Sequence, residues 1–175
     1  DDLYRNYHDI EWGTPVYDDE TLFEFLVLES FQAGLSWYTI LVKRENFRVA
    51  FDEFNYKKIA DYEQDKIDEL MMNAGIIRNK LKILATINNA QQFLKIQKEF
   101  GSFSTYIWAF VDGKPILNRP KTLKDVPATT EISDLLAKDL KKRGFKFLGS
   151  TTIYAFMQAT GMVNDHVMDC HCRKV

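Results

Sequence analysis

The sequence predicts an all-α fold, and three observations carry the prediction. Apolar residues recur at helical spacing along most of the chain, no alternating strand pattern persists anywhere, and caps and glycines punctuate the helical runs where helices start and stop. With 175 residues, the chain has the length for one domain with a real core, spanning 1–175, or for a close pair of helical subdomains.

Each element has its own justification. Asp18, Asp19 and Glu20 open a helix that runs to Gln32, because acidic residues favour the N-terminal end. Ala33-Gly34-Leu35-Ser36 is a sharp corner, with glycine for the bend and Ser36 to cap the next helix, from Trp37 through Phe47. Shorter helices are expected over 55–61 and 65–72. A long one follows from about Arg78 to Phe100, with Leu81, Leu84, Ala85 and Asn88 on one face and Gly101 at its end. Ser102 caps a short aromatic helix through Tyr106, Trp108 and Phe110. Pro115, Pro120 and Pro127 make 111–128 an irregular surface excursion. Thr130 to Lys142 is an amphipathic helix ended by Gly144, and Ser150 to Thr160 is a final, mostly buried one.

Composition excludes several classes. A hydrophobic content of 46% and a mean hydropathy of −0.29 describe a soluble globular protein, and no run approaches the roughly 18 apolar residues of a spanning helix. No signal peptide is visible, which places the chain in the cytoplasm; it begins at Asp1 rather than methionine, so residues are expected upstream. Its two cysteines, Cys170 and Cys172, are too close for an intrachain structural disulfide and point to reduced thiols or metal ligation. A net charge of −2 leaves nucleic-acid contact to a local basic patch.

Glu29 is the candidate functional residue that stands out. The apolar stripe Leu22, Phe25, Leu26 continues at helical spacing onto this carboxylate, with Gln32 on the same side and Trp37 just beyond the corner. An ionised carboxylate taken out of water costs on the order of several kcal/mol unless something compensates it. A carboxylate, an amide and an indole converging on one turn would make a pocket for a flat, cationic or hydrogen-bond-donating ligand. A one-residue change of face would instead put Glu29 in solvent.

Three other clusters could carry chemistry. Met72 to Ile83 forms a glycine-containing hairpin between two helices, with Gly75 at the turn and Arg78, Lys80 and Lys82 after it. It reads either as a phosphate grip made of backbone amides and cations or as an ordinary turn with a solvated basic edge. The run Lys138 to Lys146 has five basic residues against one acid and lies at a helix C-terminus, where cations already favour the dipole. His166 and Cys170 stand at i, i+4, with His171, Cys172 and the distant His8 as further ligand types. This is either a tetrahedral zinc site or an incidental tail.

Taken together, these segments resemble the DNA-3-methyladenine glycosylase I family of bacterial alkylation-repair enzymes, a branch of the helix-hairpin-helix glycosylases. The matching blocks are Leu3 to Gly13, Leu28 to Trp37, Ala74 to Arg78, Lys141 to Gly149 and Asn164 to His166, in order along nearly the whole chain. The resemblance implies a helix-hairpin-helix at about 65–100 and a monomeric enzyme that flips 3-methyladenine out of duplex DNA and hydrolyses its N-glycosidic bond. It implies that Glu29 accepts hydrogen bonds from the base, that Trp37 and Tyr7 enclose the ring, and that Tyr4 completes the wall. Gly34 and Leu35 would fill the gap in the duplex, while Gly75, Arg78, Lys80 and Lys82 would hold the backbone. His8, His166 and Cys170 would bind a structural Zn2+ joining the chain ends, with a fourth ligand, a cysteine, upstream of Asp1. No lysine falls in the matched pocket motif, which implies no lyase step.

Two rivals differ in class. A non-catalytic helix-hairpin-helix DNA-binding module explains the hairpin and the basic run but not the convergence of Glu29, Gln32 and Trp37. A metal-dependent hydrolase built on His8, His166 and Cys170 would lose activity, rather than stability, on chelation.

Overall fold

Helix α2 (Asp19–Gln32) is the axis around which the other helices are arranged, and it is buried on every side. Each residue from Leu22 to Phe31 is buried in this computed structural model, which describes residues 2–118 and 120–166. The apolar stripe expected on this helix is therefore too narrow a description: it is a core helix, wrapped by α3 (Trp37–Ala50), α6 (Lys80–Phe100), α7 (Phe103–Trp108) and α9 (Ser150–Ala159). Its start is the expected one, with the Asp18 side chain accepting from the Thr21 amide.

The N-terminal arm comprises α1 (Asp2–Asn6) and a π-helical turn, Tyr7–Glu11. It passes α3 and then lies across the end of α9, where Gly13 N–H donates to Gln158 O and Val16 N–H to Thr160 O. The approach is close enough that a Cβ on Gly161, whose φ is +74°, would overlap the backbone of Thr14 and Pro15. Short helices α4 (Tyr56–Ala60) and α5 (Gln64–Met71) pack on α6, and a turn over 72–79 joins α5 to α6. Helix α8 (Glu131–Lys142) packs against α9.

The structure departs from the sequence reading at three places. The inward face of α6 carries Ile83, Ile87, Ala90, Phe93 and Ile96, whereas Leu81 and Leu84 are 68% and 39% exposed. Periodicity alone allows two apolar stripes here, and the packing of α2 and α4 selects the other one. The chain is helical but for one parallel pair among the described residues, β1 (Ile116–Leu117) with β2 (Val163–Asn164), too short to leave an alternating pattern. Finally, 111–128 runs over the surface as expected but is not wholly irregular. It holds β1 and a 3-10 turn, Leu123–Asp125, fixed by a reciprocal Thr122–Asp125 capping box.

Candidate functional site

The corner after α2 is built as its residues dictate. Gly34 has φ +81°, and the Ser36 hydroxyl accepts from Thr39 N–H at 3.1 Å to start α3. This turn brings Trp37 back towards Glu29 and Gln32, while Tyr4 and Tyr7 of the N-terminal arm close the opposite side. Together they line a cavity of about 530 Å³. The Tyr7 and Trp37 rings lie 5.4 Å apart at 46°, so they form a cleft rather than a closed stack. Tyr4 stacks on Tyr38 at the mouth.

Two buried glutamates on α2 show why this cavity is unusual. Glu24 is met by Arg44 Nε at 2.7 Å and Arg48 at 3.1 Å, an arrangement that compensates its charge. Glu29 is 4% exposed, and its Oε2 has no hydrogen-bond partner among the described residues. Burial alone pushes its carboxyl up to about 8, so in the empty cavity it is largely protonated at neutral pH. Trp37 Nε1 is likewise buried without a partner. One acceptor group and one donor, both dry and both unsatisfied, thus face a cavity walled by aromatic rings. Such orphaned groups are rare in folded proteins and mark places where a ligand completes the bonding. The Tyr7 hydroxyl, buried beside Glu29 and Glu11, has its pKa raised and stays neutral.

The far wall was not foreseen. Leu123, Val126, Pro127 and Ala128 from the proline-containing segment, with Ala155 and Gln158 from α9, complete the cavity. The proline spacing identified an irregular segment but carried no sign of where it packs. Asp165 also reaches this wall, with both oxygens engaged: Asn118 donates to Oδ1, and the Tyr154 hydroxyl and Gln158 Nε2 donate to Oδ2.

At the hairpin, Asn79 caps α6, and Asn73 Oδ1 accepts from Gly75 N–H at 2.8 Å. Gly75 lies close to its neighbours, and a Cβ there, 3.1 Å from Asn46 Nδ2 and Asn73 Oδ1, would make those side chains give way by a few tenths of an ångström. Arg78 and Lys80 are exposed, as a phosphate grip needs, and Leu35 is 37% exposed at the corner. Lys82 is a correction: it is only 6% exposed, and its ammonium turns inward to the carbonyls of Phe31 and Ala33. The carbonyls at the end of α2 have no intrahelical donors and draw the side chain away from solvent. In the basic run, Arg143 is spent on Asp139 and Glu99.

His8 and His166 are brought together, their ring centroids 4.8 Å apart, although they lie at opposite ends of the described chain. His166 Nε2 is 2.9 Å from the Trp12 carbonyl and His8 Nδ1 is 3.1 Å from Asp9 Oδ1. Gly13 is needed here, because a Cβ would sit 3.1 Å from the His166 ring. Cys170 lies outside the described residues. Among the described residues, no group of three or more His, Cys, Asp or Glu side chains gathers as a metal site.

The family model for methyladenine glycosylase matches residues 1–174. The chain belongs to this family. The DNA-3-methyladenine glycosylase of Haemophilus influenzae is 50% identical over 171 residues, spanning 98% of this chain and 92% of that protein. DNA-3-methyladenine glycosylase 1 of Escherichia coli is 48% identical over 172 residues, with the same coverage of 98% and 92%. The solved structure of 3-methyladenine DNA glycosylase I from Staphylococcus aureus, whose subject is 3-methyladenine recognition, superposes with a TM-score of 0.98. That pair is 42% identical, covering 100% of this chain and 93% of the other. Among the described residues of this methyladenine glycosylase, no helix is long and apolar enough to cross a membrane.

Proposed function

We propose that this methyladenine glycosylase everts 3-methyladenine from alkylated duplex DNA into the Glu29–Trp37 cavity and hydrolyses its N-glycosidic bond. The observation that carries the reading is the pair of unsatisfied buried atoms, Glu29 Oε2 and Trp37 Nε1, inside one aromatic cavity. A purine presents donors and acceptors around a flat edge and a π-face to each ring, which is what this cavity lacks. The 3-methylated nucleotide carries a positive charge and leaves as a neutral base, so protonation of the leaving group is not needed.

Glu29 then has two states. Empty, it is a neutral acid; beside a cationic base, the opposite charge favours the carboxylate, and binding releases a proton. Stacking of the cation against Trp37 adds about 0.5–2 kcal/mol. Both interactions also stabilise the ground state, so rate enhancement comes from orienting the base and holding the sugar open to water as its charge develops. When the neutral base departs, Glu29 regains its proton. Among the described residues no lysine lines the cavity, and in this reading water is the nucleophile and no Schiff base forms.

In this reading Gly34 and Leu35 occupy the gap left in the duplex, and the Gly75 turn with Arg78 and Lys80 holds the phosphate backbone. His8 and His166 suit a structural zinc with Cys170: each imidazole has one nitrogen on an oxygen, His8 on Asp9 and His166 on the Trp12 carbonyl, the kind of outer contact that orients a metal-binding histidine. When bound, zinc would supply cross-linking of the two chain ends rather than any catalytic step. The enzyme acts as a monomer in the cytoplasm. Titration of free 3-methyladenine against tryptophan fluorescence tests the reading. Quenching that disappears in Trp37→Phe supports it, and absence of binding by the folded protein removes it.

A further inference from the structure

The buried ammonium of Lys82 has no part in the chemistry above, and its surroundings supply one. Lys82 stands in the first turn of α6, directly after the hairpin. Its N–H is held by Asn79 Oδ1 at 3.1 Å, and its carbonyl accepts from Thr86 Oγ1 at 2.8 Å. From this fixed base the side chain crosses to the end of α2, where Nζ donates to Phe31 O at 2.8 Å and Ala33 O at 2.9 Å. Those carbonyls belong to the last turn and the C-cap, where the helix itself offers no donor. A cation there also meets the negative end of the helix dipole.

The corner that follows is otherwise held by local bonds, with the Ser36 cap of α3 at its far end. Around Gly34 nothing lies within 4 Å of the position a Cβ would take, and Leu35 is tied by a local bond from its N–H to Gln32 O at 2.7 Å. This corner carries Leu35 outward, while Gln32 and Trp37, which line the cavity, belong to α2 and α3 on either side of it. The two hydrogen bonds of Lys82 tie the start of this corner directly to the first turn of α6, beside the hairpin.

We propose that Lys82 is a positioning residue for base eversion, fixing the Gly34–Leu35 corner to the hairpin that grips the DNA backbone. The inference rests on the glycosylase reading, which puts the corner in the duplex and the hairpin on its phosphates. An enzyme that unpairs a base must hold the backbone and advance a wedge as one rigid body. Lys82 joins the two parts. Neither Lys82, Phe31 nor Ala33 lines the cavity, so the link acts on eversion and leaves the bound base untouched.

Lys82→Met keeps the apolar stem and removes the donors. Single-turnover excision from methylated duplex is expected to fall about 10–100-fold, the scale of an ångström-sized misplacement. On the methylated single strand, where no partner strand opposes eversion, the loss stays within about threefold. Affinity for free 3-methyladenine remains within about twofold of wild type, because the cavity walls are intact. Lys82→Arg, which keeps a cation at a different reach, recovers part of the duplex rate. Equal losses on both strands, weakened free-base binding, or an unchanged duplex rate each overturn the proposal. Should Lys82→Met fail to fold, Lys82→Arg is judged against wild type by the same duplex-to-single-strand ratio. A folded wild type that releases no base from either substrate refutes the glycosylase reading itself, which is a separate result.

Discussion

Replacing Glu29 by glutamine should abolish the pH dependence of stability that this carboxyl imposes. The folded protein holds the Glu29 proton up to about 8, whereas an unfolded glutamate releases it near 4.5. A raised folded value means the stabilisation is fully present below pH 4.5 and is lost as pH rises through about 8. At 1.36 kcal/mol per pH unit across that window, the wild type loses on the order of 5 kcal/mol from this one group. Glutamine has nearly the same shape and nothing to titrate, so Glu29→Gln escapes the loss. Urea melts of the two proteins at several pH values isolate the effect, because every other group cancels in the difference. Between pH 5 and pH 7.5 the mutant should gain about 3 kcal/mol relative to wild type. Parallel pH profiles would refute the reasoning, since they would mean that the buried carboxyl is ionised, and compensated, in the free protein.

The other predictions concern DNA, backbone and metal. Arg78→Ala and Lys80→Ala should each lower the magnitude of the slope of log K against log salt for duplex binding by about 1, whereas Lys82→Met should leave it unchanged; salt titrations of affinity check this. Gly34→Ala, strained at φ +81° but in open space, should cost about 1 kcal/mol, while Gly161→Ala, which overlaps Thr14 and Pro15, should cost several, as measured by chemical denaturation. Prolonged chelation should lower Tm and leave the affinity for free 3-methyladenine unchanged, which separates a structural metal from a catalytic one.

Much of the local construction was legible in the sequence because it depends on neighbours. Asp18 and Ser36 act within three residues of their partners, and Gly34 and Gly101 take the positive φ that a corner and a helix end require. Glu29 was found because it broke the apolar stripe of Leu22, Phe25 and Leu26 at helical spacing. What stayed hidden depends on distant partners. Glu24 and Glu29 are both buried on α2, and only the fold shows that Arg44 and Arg48 reach one and not the other. Lys82 reads as a surface cation until the end of α2 is placed beside it. The Leu81–Leu84 stripe and the Ile83–Ile87 stripe are equally periodic, and the choice between them was made by α2 and α4. The wall from Leu123 to Ala128 has no periodicity of its own, so nothing local announces that it closes the cavity.

The most direct test is to measure free 3-methyladenine released from methylated duplex DNA by the wild-type protein and by Glu29→Gln, both verified as folded. The account predicts release by wild type and a loss of at least about tenfold in the mutant, the scale of one mispaired buried group. Absence of release by wild type, or equal rates from the two proteins, would contradict it.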